Sequence, residues 1–522
     1  MMAAAAAQLE GQAEVVAFLA SGAAFGGVRP RRVDTHAAHL FLVGDRAWKL
    51  KRDVRYGYLD FSNSEKRRTA LAAELRLNRR TAPSLYLGLH PITVDADDNL
   101  AIDGAGEAVD WLLEMQRFPD GALLSEIADE GRLDEIQLLQ LADSIFAFHH
   151  DAEQQSREGA VARFLAEIDG NIASMRQYPR ILPPDLVTIF EDAARTAFRA
   201  TEALLESRGR AGRVRHGHGD LHLANIALID GRLTPFDCVE FSGDLATVDV
   251  LYDLAFLLMD LWHRGLRTPA NMIFNRYLDL SGLDESGVAL MPLFLATRAA
   301  VRSHVLAAQA KDDAARGYLD LALALLTPVR SQLVAIGGLS GTGKSTLARA
   351  LGGDIGRAPG ARILRSDVLR KRLAGVPPET KLSSQWYTAK TTRDVYDFLC
   401  QRSAQALAAG QSVIADAVFA TSCERRAIAA VVEGTDAGFT GLWLKAEDHV
   451  RITRVGSRPA DASDADREVA IAQTRYQIGP IGDWRVVPAC GSIAETATAA
   501  RALLAPGGAT GPREITDKHA GG

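Results

Sequence analysis

The sequence predicts an α+β domain of two lobes, followed by an α/β domain built on a parallel sheet. The first part of the chain opens with strand-like segments and becomes mostly helical after about residue 120. The second part alternates short apolar strands with helical stretches, which is typical of a parallel sheet covered by helices on both faces. The change occurs near residue 330, where a helical stretch ends at Pro328 and the strand-like run QLVAIGG begins.

The domain boundaries follow from these changes in pattern. The alanine-rich start and the polar end offer little apolar surface to offset the entropy lost on ordering. A first domain is therefore expected over 26–330 and a second over 331–505. In full, we expect a loose N-terminus with a first helix over 1–25, a small lobe over about 26–115, a helical lobe over about 116–330, the second domain over 331–505, and a disordered tail over 506–522.

Composition excludes several classes of protein. The 522 residues hold 59 Lys and Arg against 65 Asp and Glu, a net charge of −6, which excludes a strongly basic nucleic-acid binder of the histone type. Residues 331–522 hold 24 basic and 19 acidic side chains, whereas residues 1–330 hold 35 and 46. The four cysteines form no CxxC pair, so neither a disulfide framework nor a zinc cluster is indicated.

Targeting signals are not evident in the sequence. The start lacks a basic segment before an apolar core, and no run of about 18 apolar residues follows. We therefore expect a cytoplasmic protein with no membrane partner.

The strongest motif is a glycine-rich loop in the second domain. The run GLSGTGKS from Gly338 to Ser345 matches GxxxxGK[ST], follows a strand and opens a helix. Its backbone N–H groups can surround phosphate oxygens, Lys344 can reach the terminal phosphates, and the Ser345 hydroxyl can bind Mg²⁺. We expect ATP, with GTP as the alternative, and Mg²⁺ here. The candidate nucleotide-binding residues are Gly338, Leu339, Ser340, Gly341, Thr342, Gly343, Lys344, Ser345 and Thr346.

Two carboxylates follow neighbouring strands of this domain. Asp367 comes directly after the strand ARILRS, where it could accept a proton from an acceptor hydroxyl, and Arg370 three residues later could hold the acceptor or the transferred phosphoryl group. With Lys344 they are the predicted catalytic residues; the alternative is that Ser366 and Asp367 only cap a helix. Asp416 ends the strand SVIADA and is predicted to orient Mg²⁺, the alternative being a polar strand end.

Three arginines follow at helical or near-helical spacing, Arg451, Arg454 and Arg458. On a mobile segment they could close over the triphosphate and stabilise charge in the transition state, with Arg454 and Arg458 as nucleotide-binding residues. A solvated helix face is the alternative.

The first domain carries a second phosphate-transfer pattern. His218-Gly-Asp220 and Asn225 fit HxDLxxxN, and Asp237 lies twelve residues after Asn225. Asp220 is predicted as the base or positioning group for a hydroxyl, and Asn225 and Asp237 as ligands of Mg²⁺. The neighbouring His216 and His222, like His218, are interpreted as structural, because zinc needs three or four converging ligands.

A nucleotide lysine is expected on an earlier strand. Alternation places Lys49 and Lys51 on one face of the strand RAWKLK; the A-x-K spacing favours Lys49, with Lys51 as the alternative. Glu74 is predicted as the lysine's partner, on a helix opened by the capping box SNSE; one more solvated charge is the alternative. The adenine is expected at the hinge between the lobes, over residues 114–118, with Glu114 and Met115 as nucleotide-binding residues.

Two features depart from the kinase pattern. No GxGxxG precedes Lys49, where the chain reads DTHAAHLFLVGD, and Cys238 stands where the DFG glycine is expected. The phosphates must therefore be covered by other backbone groups.

With these residues, the first 330 residues resemble the aminoglycoside phosphotransferase family, a branch of the protein-kinase-like fold. The resemblance rests on HGDLHLANI, PFDCVEF and DVLYDLAFLLMDL, and it implies that Asp249 and Asp253 are buried acidic anchors of a helix. Residues 331 to about 505 resemble small P-loop kinases of the gluconate, shikimate and polynucleotide kinase type, an AAA-type ATP-binding domain. The whole chain resembles bacterial proteins that fuse these two domains. The predicted fold class is therefore a protein-kinase-like two-lobed α+β domain followed by an α/β P-loop NTPase domain.

The function predicted from these motifs is phosphoryl transfer from ATP to hydroxyl groups of small molecules, at two separate nucleotide sites. The phosphotransferase fold also serves choline, homoserine and sugar kinases, so it does not specify the acceptor. The missing glycine-rich loop motivates an alternative, a regulatory or stress module gated by nucleotide. The net positive charge of the second part and the Asp367–Arg370 pair suggest a polynucleotide-end kinase, but no basic and aromatic stripe accompanies them. A nucleic-acid partner is therefore not expected, and the oligomeric state is not indicated.

Overall fold

A computed structural model describes residues 12–56, 59–154, 159–240, 246–282, 284–457 and 463–505. Its contacts divide the chain into two units. The N-terminal unit runs through Arg264 and includes Leu293–Leu326; the C-terminal unit comprises Gly265–Pro292 and the chain from Thr327 onward. This division differs from a single boundary at residue 330, because 28 residues that precede that boundary, 265–292, belong to the C-terminal unit.

The chain forms strands and helices in the order given by these bounds. The strands are β1 Arg31–Asp34, β2 Ala38–Val43, β3 Arg46–Lys51, β4 Arg55–Tyr56, β5 Leu59–Asp60, β6 Tyr86–Val94, β7 Leu100–Ile102, β8 Glu107–Gln116, β9 Val214–His216, β10 Ile226–Ile229, β11 Arg232–Pro235, β12 Thr247–Asp249, β13 Gln332–Gly337, β14 Arg362–Arg365, β15 Val413–Asp416, β16 Gly438–Lys445 and β17 Arg485–Pro488. The helices are α1 Gln12–Ser21, α2 Ser64–Asn78, α3 Leu124–Asp129, α4 Glu135–Asp151, α5 Ala160–Met175, α6 Pro184–Arg210, α7 Val250–His263, α8 Arg267–Ser281, α9 Met291–Ala308, α10 Asp312–Leu326, α11 Lys344–Gly352, α12 Ser366–Leu373, α13 Ala389–Ala408, α14 Ser422–Ala430, α15 Asp448–Ser457, α16 Arg467–Ala472 and α17 Ile493–Leu504.

The small lobe of the N-terminal unit is a six-stranded antiparallel sheet in the order β1-β2-β3-β8-β6-β7. One apolar cluster joins Leu19 of α1 with Phe41 and Leu50. Another joins Leu71 of α2 with Leu113 of β8. Alternation along β3 thus sends Leu50 into one cluster and leaves Lys49 and Lys51 on the opposite side of the strand.

The helical lobe is centred on α7, in which every residue from Val250 to Leu261 is buried. Its N-cap Asp249 accepts a hydrogen bond from the Leu251 backbone N–H at 2.8 Å and pairs with Arg208 through two hydrogen bonds of 2.7 and 2.8 Å. Because both members of the pair are buried, losing one would leave an uncompensated charge in the core. Asp249 therefore anchors the start of this helix, as the resemblance implied.

The C-terminal unit contains a five-stranded parallel sheet in the order β14-β15-β13-β16-β17. Apolar clusters cover both faces, one with Leu347 of α11 and the other with Leu399 of α13. The predicted fold class is confirmed: a kinase-like two-lobed unit precedes a P-loop unit with a parallel sheet. Within the described ranges, no helix has both the length and the apolar character that a bilayer span requires.

Helix α8 is built into the C-terminal unit through its buried asparagines. Asn271 Nδ2 donates to the Ala361 carbonyl at 2.8 Å, and Asn275 Oδ1 accepts the Ile363 N–H at 2.7 Å. Arg362, on the edge strand β14, also donates to Asn275 and pairs with Asp279 of α8 at 2.6 Å. The helix therefore covers the edge of the sheet and satisfies backbone groups that an edge strand would leave unpaired.

We predict that Asn275→Ala destabilises the C-terminal unit by about 2–4 kcal/mol, because a buried N–H and a buried guanidinium lose their acceptor. Thermal unfolding combined with hydrogen exchange of the β14 peptide measures this effect. Gln401→Ala, at an exposed position of α13 in the same unit, is the control and should change the free energy of unfolding by less than about 0.5 kcal/mol. Equal stability of both variants would contradict this role of α8.

Candidate active sites

The lysine face of β3 meets a buried glutamate and the predicted metal carboxylate. Lys49 Nζ lies 2.6 Å from Glu74 Oε1 and 2.8 Å from Asp237 Oδ1. Burial lowers the pKa of Lys49, but the charges of Asp237 and Glu74 outweigh that effect and raise it well above its usual value. The ammonium is therefore fixed as a cation beside a carboxylate that is 40% exposed. Glu74 is fully buried, which contradicts the alternative that it is one more solvated charge.

The second lysine, Lys51, pairs with the other carboxylate oxygen of Glu74. Lys51 Nζ lies 2.7 Å from Glu74 Oε2 and 2.5 Å from Glu240 Oε1. Sequence reasoning missed Glu240, although it lies three residues after Asp237. The result is a buried chain of charges from Asp237 through Lys49, Glu74 and Lys51 to Glu240. Lys49 faces the partly exposed Asp237, whereas Lys51 is enclosed between two buried carboxylates.

The loop that carries Asp220 is held in place by Asp253 of α7. Its carboxylate accepts the backbone N–H groups of His218 at 2.7 Å and Gly219 at 2.9 Å. Gly219 has φ of 82°, a left-handed conformation that favours glycine, and its carbonyl accepts a hydrogen bond from Arg298 at 3.1 Å. These contacts aim the next residue, Asp220, away from the core, so that its side chain is 40% exposed.

Asp220 and Asn225 contact one another as the motif predicts. Asn225 Nδ2 donates to Asp220 Oδ2 at 2.8 Å and to the Asp220 carbonyl at 2.9 Å, which directs the asparagine oxygen elsewhere. Burial raises the pKa of Asp220, but nearby His222, His218 and Arg302 outweigh it and hold that pKa well below its usual range. The carboxylate is therefore ionised at neutral pH.

The donor set of this loop fits Mg²⁺. Asp220 and Asp237 supply ionised carboxylates, since Lys49 and Lys51 outweigh burial and lower the pKa of Asp237 as well. The described residues contain no group of three or more His, Cys, Asp or Glu side chains arranged for a metal. Mg²⁺ prefers one or two carboxylates together with nucleotide phosphates, so Asn225 and Asp237 would hold it jointly with a nucleotide.

Cys238 stands where the DFG motif has its glycine, and its backbone does not need the conformational freedom of glycine. The left-handed backbone falls on Asp237, with φ of 62°. The Cys238 N–H donates to Asn78 Oδ1 at 2.8 Å, and burial raises the pKa of the Cys238 thiol to about 12. The thiol therefore stays protonated, and Cys238 is a packing residue.

The predicted hinge residues lie inside the sheet. Met115 pairs with Ala47 on one side and with Tyr86 on the other, and Glu114 pairs with Trp48 and Gly88. The Glu114 carboxylate contacts Arg46 at 3.0 Å. Strand β8 ends one residue later at Gln116, so the backbone beyond it is closer to a strand end than Glu114 and Met115 are.

A short hairpin replaces the glycine-rich loop over this site. Strands β1 and β2 are joined by residues 35–37, and the Thr35 N–H donates to the Ala38 carbonyl at 2.9 Å. Burial and the charge of Lys51 lower the pKa of His36, while Asp237 acts in the opposite direction. The charges of Lys51 and Asp237 therefore act on His36, although no sequence motif marks this hairpin.

The phosphate loop joins β13 to α11 as predicted. Gly341 has φ of 86°, and a Cβ atom there would lie 2.3 Å from the Arg451 carbonyl oxygen, so only glycine fits. Gly343 has φ of 92° and precedes the first helical residue, Lys344. The loop N–H groups and the helix N-terminus together form an anion-binding concavity.

Lys344 and Ser345, at the end of this loop, lie close to Asp416 at the end of β15. Ser345 Oγ donates to Asp416 Oδ2 at 2.5 Å, and Lys344 Nζ donates to the Leu339 carbonyl at 3.3 Å. Burial raises the pKa of Asp416, and the positive charges of Lys344 and Arg365 partly offset that rise. A hydroxyl next to a carboxylate suits Mg²⁺ bound to nucleotide phosphates, so Ser345 and Asp416 would hold the ion there.

Asp367 and Arg370 lie on α12, directly after β14. The helix begins at Ser366 with Arg365 as its N-cap, and no side-chain hydrogen bond caps it there, which disfavours the capping alternative for Asp367. Arg370 donates to the Trp386 carbonyl at 2.7 Å, and its guanidinium lies 4.9 Å from the centre of the Tyr387 ring. Arg370 is therefore fixed in direction by the segment that follows α12.

The arginines of α15 contact backbone groups. Arg451 donates to the Ser340 carbonyl at 3.1 Å, inside the phosphate loop. Arg454 donates to the carbonyls of Ala489 and Gly491 at 2.6 and 2.8 Å. Arg458 lies outside the described residues. The roles of Arg454 and Arg458 toward a nucleotide remain predictions.

Comparison with known proteins covers both units. The AAA_33 family, described as an AAA domain, matches residues 333–478. An uncharacterized protein of Mycobacterium tuberculosis is 30% identical over 468 residues, which span 86% of this chain and 90% of that protein. The chain belongs to the same family as this mycobacterial protein.

Two solved structures are similar to parts of this chain. A choline/ethanolamine kinase family protein from Mesorhizobium loti covers 60% of this chain and 93% of its own length, at 14% identity and a TM-score of 0.36. A gluconokinase from Sinorhizobium meliloti covers 33% of this chain and 91% of its own, at 19% identity and a TM-score of 0.25.

The predicted fused architecture is confirmed. A two-lobed α+β unit precedes a P-loop unit that contains the AAA_33 match.

Proposed function

We propose that each unit binds ATP with Mg²⁺ and transfers its terminal phosphoryl group to a hydroxyl group of a small molecule. The observation that carries the proposal is a shared arrangement. In each unit a lysine and a metal-type carboxylate lie together, as Lys49 and Asp237 or as Lys344 and Asp416. Each unit also has a separate carboxylate. It is Asp220, on a loop of the N-terminal unit, and Asp367, in the first turn of helix α12 of the C-terminal unit. Phosphoryl transfer depends mainly on positioning and charge neutralisation, which these groups supply.

In the N-terminal unit, different residues are proposed to bind the phosphates, orient the acceptor and take its proton. Glu74 holds Lys49 toward the phosphates, and Asn225 fixes the orientation of Asp220. Asp220, being ionised, orients the acceptor hydroxyl and takes its proton late in the transfer, when the oxygen has become acidic. Mg²⁺, when bound, neutralises phosphate charge. The last part of the predicted hinge, the backbone after Gln116, is proposed to bind the adenine, because Glu114 and Met115 are paired within the sheet.

In the C-terminal unit, the loop amides and Lys344 bind the phosphates. Asp367 is proposed to orient the acceptor hydroxyl, and Arg370, held by Trp386 and Tyr387, to bind the acceptor or the transferred group.

Metabolite profiling tests this function. The full chain is incubated with ATP, Mg²⁺ and a cell metabolite extract, and phosphorylated products are identified by mass spectrometry. Each product should vanish in either Asp220→Asn or Lys344→Ala, which assigns it to one unit. ATP hydrolysis without any phosphorylated acceptor would contradict the proposal and support a nucleotide-gated ATPase. Phosphorylated oligonucleotide ends would support the polynucleotide-end kinase.

The two lysines of β3 should respond differently to substitution. Lys51→Met leaves Glu240 buried without its cation, so we expect a loss of about 3–5 kcal/mol in the free energy of unfolding. Glu240→Gln in the same chain should recover part of that loss. Lys49→Met should instead weaken ATP binding at this site at least about a hundredfold, which leaves no detectable binding there. Chemical denaturation and ATP titration of the three variants check both expectations; an ATP defect confined to Lys51→Met would reverse the assignment.

A further inference from the structure

A glutamine distant in sequence occupies one amide of the phosphate loop. Gln473 Oε1 accepts the backbone N–H of Ser340 at 2.7 Å, across 133 residues of sequence. Gln473 is only 6% exposed and lies in the single turn Gln473–Arg475, directly after α16. No motif in the sequence marks this residue.

The next peptide of the loop, which carries the Ser340 carbonyl, is fixed as well. Arg451 donates to the Ser340 carbonyl, and the Arg451 side chain is 1% exposed. The Ser340 N–H, which belongs to the preceding peptide, points toward Gln473. A single N–H at this distance serves one strong acceptor, so a phosphate oxygen and Gln473 Oε1 exclude one another there.

The segment that carries Gln473 buries little apolar surface. We call residues 463–476 the strap. Within its helix α16 only Ala470 is buried, while Val469 and Ile471 are 40% and 44% exposed. A segment with so little buried apolar surface separates from the protein at low free energy.

Near its N-terminal end, the strap is attached to residues around Arg370, which we propose to bind the acceptor. Asp464 lies 2.6 Å from Lys371 Nζ and accepts the Leu382 N–H at 3.1 Å and the Tyr387 hydroxyl. Tyr387 also stacks against Arg370. The strap thus links the phosphate loop to the residues around Arg370.

We propose that Gln473 competes with nucleotide phosphate for the Ser340 N–H and thereby sets the nucleotide affinity of the C-terminal unit. Phosphate binding then releases the strap at Gln473 while Asp464 keeps its other end beside Tyr387. The inference rests on the proposed nucleotide binding at the phosphate loop and adds its regulation.

Opposite effects of two substitutions test the competition. Gln473→Ala removes the competing acceptor, so the dissociation constant for ATP should fall about two- to tenfold, the worth of one hydrogen bond. Gln473→Glu places a negative charge at the same N–H, so that constant should rise at least about threefold. Titrations use the full chain carrying Lys49→Met, which isolates the Lys344-dependent site. Gln477→Ala and Gln477→Glu, at an exposed position four residues on, should leave the constant unchanged.

Each outcome separates competition from structural damage. Damage to the loop would weaken binding in both Gln473 variants, so weaker or unchanged binding in Gln473→Ala overturns the inference alone. Absence of any Lys344-dependent ATP binding in the Lys49→Met chain overturns the proposed function of this unit, and the inference with it. Hydrogen exchange of the strap should also rise on adding ATP to the chain with Gln473 and stay constant in Gln473→Ala.

Discussion

Asp220→Asn should lower phosphoryl transfer by the N-terminal unit by about a thousandfold and leave ATP affinity within about threefold. Asparagine has the same shape and can still accept from Asn225 Nδ2, which donates to Asp220 Oδ2 at 2.8 Å. It cannot take the proton of an acceptor hydroxyl, and it supplies no negative charge to orient that hydroxyl. The defect should therefore fall on kcat and spare nucleotide binding.

The measurement is the steady-state rate with the acceptor found by metabolite profiling, together with ATP titration. Asp230→Asn provides the matched control, since it makes the same change at an exposed turn between β10 and β11. Its rate should equal that of the unmodified chain. A rate for Asp220→Asn within tenfold of the unmodified chain would contradict the assigned role of Asp220.

Lys344→Ala should weaken ATP binding by the C-terminal unit at least about a hundredfold. Lys344 is the first helical residue after the phosphate loop, and its ammonium donates to the Leu339 carbonyl inside that loop. Its removal takes away the positive charge that neutralises phosphate oxygens in a partly buried site, where electrostatic interactions are stronger than in water. Binding and phosphoryl transfer should both be lost.

Calorimetric titration of the Lys49→Met chain, with and without Lys344→Ala, measures this loss. Lys390→Ala removes an exposed lysine from the same unit and should leave the titration unchanged. Retained binding in Lys344→Ala would show that the loop does not hold the nucleotide through this residue.

Short motifs explain why much of both sites was predictable. The groups in GxxxxGKS and HxDLxxxN are local, so spacing along the chain determines their geometry. Asn225 therefore meets Asp220, and Lys344 starts its helix, as expected. The pairing of Lys49 with Glu74 was predictable for a related reason, because alternation on β3 and a capping box on α2 give each element its face.

Other parts of the sites depend on contacts between distant segments, which have no spacing rule. Glu240 meets Lys51 across 189 residues, and Gln473 meets Ser340 across 133. For the same reason the sequence does not show where helix α8 packs, because an amphipathic pattern does not specify the unit that the helix joins. The hinge was expected over residues 114–118, but strand ends are poorly marked in sequence, and the sheet continues through Glu114 and Met115 to Gln116.

The central claim is that one chain holds two independent nucleotide sites, and binding stoichiometry tests it most directly. Equilibrium dialysis with Mg²⁺ and a non-hydrolysable ATP analogue should show two molecules bound per chain. Lys49→Met and Lys344→Ala should each reduce the number to one, and the double variant should bind none. A stoichiometry of one in the unmodified chain, or a single substitution that removes both molecules, would contradict the claim.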